Sequence, residues 1–242
     1  MVVAISAGAC RDLKLNRADS IRFIQKYSNL IDGIEIGFGS WEEALNYTFE
    51  EDTLKFVKSL KFKSIHMPVS NDKYDNNIAT KKVLSKVSEI AKEINANHLV
   101  FHPNTIKDYS ILDYSLNNCI ENLNSKECNK GFQTVQEIRK VLEENEELGL
   151  VLDTCHMLEV GIDLKDFLEL KDKVCGIHLA VQWIQGERLR THGFLQENKE
   201  QLEQIKPLLK LNVPKIIESD FYPTKVTMIE KEIELIRHFE NK

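Results

Sequence analysis

Residues 149–181 read GLVLDTCHMLEVGIDLKDFLELKDKVCGIHLAV. Two apolar, β-branched runs, GLVLDT (149–154) and VCGIHLAV (174–181), flank LKDFLELKDK (164–173), whose apolar residues return at helical spacing. Apolar residues at nearly every position, rather than at every second one, mark a strand buried on both faces. That burial is typical of parallel sheets covered by helices. The expected unit is therefore strand, helix, parallel strand.

The same unit recurs outward in both directions. Further strand-like runs are VVAISA (2–7), GIEIGF (33–38), KSIHMPV (63–69), HLVFHP (98–103), NCIENL (118–123) and PKIIES (214–219). Between and after them lie ADSIRFIQKYSNL, EEDTLKFVKSL, TKKVLSKVSEIAKEI, TVQEIRKVLEENEEL, NKEQLEQIKPLLK and TMIEKEIELIRHFE, with apolar positions three and four apart. The segment after Pro103 has room only for a small helix. Eight strands alternating with helices predict an α/β protein, a single (β/α)8 TIM barrel spanning 1–242 as one domain. A doubly wound open sheet is the alternative, but no GxGxxG follows the first strand, which removes its usual dinucleotide-binding form.

With 32 Lys+Arg against 38 Asp+Glu the net charge is −6, and 42% hydrophobic with 29% charged residues is ordinary globular usage. The mild acidity gives no general attraction for phosphate backbones, so nucleic-acid binding needs a local basic patch. No run reaches the roughly 18 apolar residues of a membrane span, and no basic region precedes the N-terminal apolar run. A cytoplasmic location without membrane association is expected. Five cysteines, an odd number without a CxxC pair, argue for reduced thiols rather than a disulfide framework. Cys155 reads as a small buried side chain, and the acidic run at 143–147 as a solvated helix face.

Metal-binding residue types sit at the ends of the later strands: His66, His102, Glu121, Asp153, His178 and Glu218. In a barrel those ends converge on one mouth, so residues scattered along the chain meet in space. Imidazole and carboxylate donors suit Zn²⁺, Mn²⁺, Fe²⁺ or Co²⁺, and here there are more than one ion needs. Glu121 can bridge, with His66 and His102 on one ion and Asp153, His178 and Glu218 on a second. Two ions about 4 Å apart clamp the attacking and leaving oxygens of a phosphoryl displacement. His156 follows Asp153 by three residues, and the polar loop QWIQGERLRTHGFL (182–195) contains His192 near its end. These two histidines can share a third ion or hold a phosphate.

With these residues in place, the chain resembles the xylose isomerase-like TIM-barrel superfamily, which includes endonuclease IV, sugar isomerases and sugar epimerases. The resemblance spans nearly the whole chain and rests on IHMP (65–68), FHPN (101–104), IENLN (120–124), VLDTCHM (151–157), GIHLA (176–180) and IIES (216–219). The His of the third strand and the HP pair of the fourth resemble endonuclease IV. That likeness implies His66, His102, Glu121, Asp153, His156, His178, His192 and Glu218 as ligands of two or three zinc ions. Glu121 and Glu218 are the implied catalytic carboxylates, and a phosphodiester or phosphate ester, including abasic DNA, the implied substrate. One position departs: Arg190 stands where endonuclease IV has an Asp. Either Glu187 replaces that carboxylate, or Arg190 itself binds a substrate phosphate. Val69 stands in place of an aromatic residue, and the chain is shorter and acidic, so DNA-probing loops are expected to be reduced.

The sugar-handling branch instead implies one manganese, cobalt or magnesium ion on Glu121, Asp153, His178 and Glu218. There the two glutamates shuttle a proton beside a carbonyl of a sugar or sugar phosphate, and His156 contacts the sugar. Glu35 resembles a second-strand glutamate of that branch and is open between a substrate contact and a structural salt bridge. A non-catalytic barrel would show an eroded ligand set, and only one position departs. Nothing in the sequence points to a protein partner.

Overall fold

The computed structural model describes residues 1–69, 73–124 and 131–239. Its strands are β1 (Val3–Ser6), β2 (Gly33–Gly37), β3 (Phe62–His66), β4 (His98–Phe101), β5 (Asn118–Glu121), β6 (Gly149–Asp153), β7 (Val174–Leu179), β8 (Val181–Gln185), β9 (Arg188–Gly193) and β10 (Lys215–Ile217). Eight of these close into a parallel barrel in the order β1-β10-β7-β6-β5-β4-β3-β2. The barrel expected from the alternation is thus the fold observed.

Each barrel strand is nearly all buried because one face meets the barrel interior and the other meets helices. The helices are α1 (Arg17–Gln25), α2 (Trp41–Asn46), α3 (Glu51–Ser59), α4 (Ile78–Ile94), α5 (Val135–Glu144), α6 (Thr154–Val160), α7 (Lys199–Leu209) and α8 (Met228–His238). In α4 the buried stripe is Val83, Val87, Ile90 and Ile94; Asn77 caps its start and the left-handed Asn95 ends it. A full capping box, Thr134 with Glu137, starts α5. The main core lies between strands and helices. Two small clusters stand apart from it: Ala4, Phe62 and Ile216, and Val100, Cys119 and Val151. These residues share strand parity with Ser6, His66, Glu218, His102, Glu121 and Asp153, so they fill the barrel interior below the mouth. Gly33 permits that filling, since a Cβ there would stand 2.6 Å from the Phe62 carbonyl oxygen.

Three local readings are corrected. The polar stretch 182–195 is not a loop: β8 and β9 pair antiparallel across a turn at Gly186, which has a positive φ. Alternation failed to reveal it because the hairpin stands off the barrel, leaving Ile184 71% and Leu189 64% exposed. Residues Leu164–Lys173 form a 3-10 rather than an α-helix. Phe167 and Leu170 are buried there at a spacing of three, the repeat at which 3-10 side chains eclipse. The expectation of reduced thiols throughout meets an exception in one pair, and Cys128 lies outside the described residues. Cys119 and Cys175 meet with sulfurs 2.50 Å and Cα atoms 7.4 Å apart, whereas Cys10 and Cys155 are free and buried. Among the described residues no helix is long and apolar enough to cross a membrane.

Candidate metal centre at the barrel mouth

The C-terminal strand ends bring the predicted donors together. Three groups of donor atoms each lie within 4.8 Å of one another: His66, His102 and Glu121; Glu121, Asp153, His178 and Glu218; Asp153, His156 and His192. Glu121, only 1% exposed, belongs to the first two groups and divides its oxygens between them. Its Oε2 lies 3.1 Å from His66 Nε2 and 3.0 Å from His102 Nε2, and its Oε1 lies 2.8 Å from His178 Nδ1.

Backbone contacts set the ring states. His66 Nδ1 donates to the Met67 carbonyl at 3.1 Å, and His156 Nδ1 donates to the Asn122 carbonyl at 2.9 Å. A carbonyl only accepts, so each Nδ1 carries its hydrogen and Nε2 is the nitrogen left to bind. At His66 that nitrogen faces a carboxylate oxygen. Two acceptors at 3.1 Å need a positive species between them, either a proton or a metal ion. The donor set therefore fits a cation.

His178 is fully buried and has carboxylates on both nitrogens: Glu121 at 2.8 Å and Glu218 at 3.4 Å from Nδ1, Glu35 at 3.2 Å from Nε2. Burial disfavours its charge, but Glu218, Glu35 and Glu121 outweigh this and raise its pKa well above the usual histidine value. Burial likewise works against charge on Glu121, yet the adjoining imidazoles of His178, His102 and His66 hold it well below the ordinary carboxylate range. Glu218 moves the other way, pushed well up by burial and by neighbouring Glu121, Asp153 and Glu35 against the pull of His178. Glu35 is fully buried, accepts from Ser64 Oγ at 2.9 Å and lies 3.2 Å from His178 Nε2.

Asp153 ends β6 and caps α6, its Oδ1 accepting the His156 N–H at 2.7 Å. Its Oδ2 lies 3.8 Å from His156 Nδ1 and 4.0 Å from His192 Nε2. His192 takes a left-handed φ of 55° on β9, where its N–H reaches Cys155 Sγ at 3.3 Å. Arg190 and Glu187 are not brought into the cluster. Both are exposed on the β8–β9 hairpin, and Arg190 Nε donates to Gln185 at 3.1 Å.

Sequence reasoning missed two features. A cavity of about 420 Å³ opens beside the donors, lined by Arg11, Asn16, Arg17, Glu43, His66 and Glu218. Arg11 pairs with Asp220 at 3.3 Å, and Arg17 with Glu43 at 3.2 Å. Both arginines lie beyond the end of β1, so strand-end position was the available signal. Asn122, inside the IENLN motif, also went unassigned.

No family model matches the chain. A probable endonuclease 4 from Ureaplasma urealyticum is 27% identical over 186 residues, 67% of this chain and 55% of the relative. The chain thus spans about half the length of the curated relative it matches. Among solved structures, the probable 3-DHS dehydratase AsbF of Bacillus anthracis superposes with a TM-score of 0.68 at 14% identity, covering 98% of this chain and 99% of that one. Endonuclease IV from Thermus thermophilus gives 0.66 at 14% identity, with 100% and 99% covered. A D-tagatose 3-epimerase-like protein gives 0.66 at 16% identity, with 100% and 97% covered. The chain has the (β/α)8-barrel fold of these structures, and their names show that fold hosting several chemistries.

Proposed function

We propose that the protein is a divalent-metal enzyme that hydrolyses a phosphodiester or phosphate ester, holding two ions at its mouth and a third on Asp153, His156 and His192. The observation carrying this reading is the division of Glu121, whose two oxygens face different donor groups as a bridging carboxylate's do. His66 and His102 would hold one ion, Asp153, His178 and Glu218 the other, with Glu121 shared; nitrogen and oxygen donors of this kind favour zinc. When bound, such a pair supplies Lewis acidity and lowers the pKa of water. The chain's own part is to orient the ester: Arg11 and Arg17 line the cavity beside His66 and Glu218, where they would pair with phosphate oxygens. Abasic DNA belongs to the substrate class to be tried, by likeness to endonuclease IV.

A second reading has its own support. Glu121 and Glu218 have pKa values pushed in opposite directions, the arrangement of a base and an acid sharing one proton transfer. A sugar or sugar-phosphate epimerase or isomerase with one manganese, cobalt or magnesium ion would use them so. Metal content per chain, together with turnover of phosphodiesters and of ketose and aldose panels, tests the choice. Two or more ions with phosphodiester cleavage support the first reading; one ion with sugar turnover overturns it in favour of the second.

A further inference from the structure

The opposite end of the barrel holds a cluster that the mouth chemistry does not use. His98 is the first residue of β4, Cys119 the second of β5 and Cys175 the second of β7, so all three lie at N-terminal strand ends. Donor atoms of the three lie within 4.8 Å of one another. Between β5 and β7 runs β6, whose first residue is Gly149; a Cβ there would stand 2.9 Å from each sulfur. Only glycine leaves both sulfurs their place, and the strand GLVLDT begins with it.

We propose that His98, Cys119 and Cys175 form a metal site at the barrel floor, separate from the mouth, that takes one thiophilic divalent ion such as zinc. Three observations converge on it. Among the described residues His98 Nδ1 is buried without a hydrogen-bond partner, and the ring is held edge-on to Phe62 with centroids 5.4 Å apart. A buried, unpartnered ring nitrogen is costly unless something binds it. Second, the Cα atoms of Cys119 and Cys175 are 7.4 Å apart, beyond the roughly 4.4–6.8 Å that disulfides span. Two thiolates about 2.3 Å from a tetrahedral ion stand roughly 3.8 Å apart, which this backbone spacing accommodates. Third, the charges balance: two thiolates and a neutral imidazole leave a divalent ion with no net charge, next to apolar Val100 and Val151. Binding releases one proton from each thiol. The fourth position faces outward, since His98 and Cys175 are only partly buried.

Soft sulfur donors select zinc over magnesium, calcium or manganese, so floor and mouth are chemically distinguishable. A site joining β4, β5 and β7 at the end away from the mouth stabilises the barrel and takes no part in turnover.

The test is cobalt(II) titration of reduced, chelator-stripped protein. Thiolate-to-cobalt charge transfer in the near ultraviolet reports sulfur ligation, which the nitrogen and oxygen donors of the mouth cannot produce. The expected result is a band whose full intensity corresponds to one sulfur-bound ion per chain and which is lost on adding zinc. It is absent from Cys119→Ser and Cys175→Ser, unchanged in Cys155→Ala, and unchanged when His66 and His102 are both alanine. Zinc should also raise the unfolding temperature of wild type by more than that of the floor variants, in which only the mouth donors remain to bind it. Folded, reduced wild type that gives no band overturns the proposal whether or not the variants fold. So does a band that survives in both floor-cysteine variants. So does a count of three free thiols out of five in unfolded protein never exposed to reductant, which would make the pair a disulfide.

Discussion

Asn122 and Asp153 exchange two hydrogen bonds across the β5–β6 seam: Asn122 Nδ2 donates to the Asp153 carbonyl at 3.0 Å, and the Asp153 N–H donates to Asn122 Oδ1 at 2.7 Å. The pair fixes the end of β6 just where Asp153 turns into the mouth and caps α6. The Asn122 carbonyl also accepts from His156 Nδ1, so one residue orients members of two donor groups. Partners of this kind are worth roughly 10–100-fold in metal affinity. Asn122→Ala should therefore weaken metal binding by about that factor while leaving the number of sites unchanged, as read by competitive chelator titration. Affinity equal to wild type would show the seam to be irrelevant to the site.

The divided carboxylate of Glu121 leads to an ordering among variants. Replacing both His66 and His102 by alanine removes one donor group and leaves Glu121, Asp153, His178 and Glu218 intact. Elemental analysis of that variant should find one ion fewer than in wild type, with hydrolysis abolished. Glu121→Gln touches two groups at once and should lose more than one ion. Equal metal content in the double variant and wild type would end the two-ion reading.

How much of this was readable beforehand follows from where each signal resides. Strand burial on both faces is written in consecutive residues, as in GLVLD and KII, so eight barrel strands were recoverable from local pattern. The fold then supplied the long-range step, because strand ends share a mouth whatever their separation in sequence. Thus His66, His102, Glu121, Asp153, His178 and Glu218 could be grouped without a single contact being known. What stayed hidden has no local signature. The hairpin β8–β9 is buried only at its foot, at Val181, Gln182, Trp183 and Gly193, so its strands show no alternation. The burial of Glu35 depends on Ser64 and His178 from two other strands, and the floor cluster needs a glycine on one strand to admit sulfurs from its two neighbours.

Arg11 and Arg17 separate anionic from neutral substrates. Arg11 is largely exposed and Arg17 mostly covered, and each already holds one carboxylate, which keeps its guanidinium at the cavity. A charge-assisted hydrogen bond contributes about 1.5–3 kcal/mol. With a phosphate ester, Arg17→Ala should raise KM on the order of 10-fold or more and leave kcat nearly unchanged. With an uncharged sugar the same variant should leave KM within about two-fold. Steady-state kinetics on both substrate classes checks this, and a fall in kcat alone would remove the arginine from substrate binding.

Glu232 sets a pH dependence of stability independent of the mouth. It lies on α8, fully buried, with Oε1 accepting the Leu195 N–H at 2.7 Å. Burial pushes its carboxyl up to about 8 despite that hydrogen bond. The folded pKa thus lies above the unfolded value, so between the ordinary carboxylate range and about pH 8 the folded chain holds a proton that the unfolded chain has released. Stability contributed by this proton is fully present at acidic pH and is lost as pH rises through about 8. The size of the shift corresponds to a few kcal/mol, roughly 2–5, across that window. Glu232→Gln keeps the acceptor and cannot ionise. Urea unfolding of chelated protein at pH 5 and pH 8 should show wild type losing stability relative to the variant by that amount. Parallel pH profiles for the two proteins would place the Glu232 carboxyl back in its ordinary range.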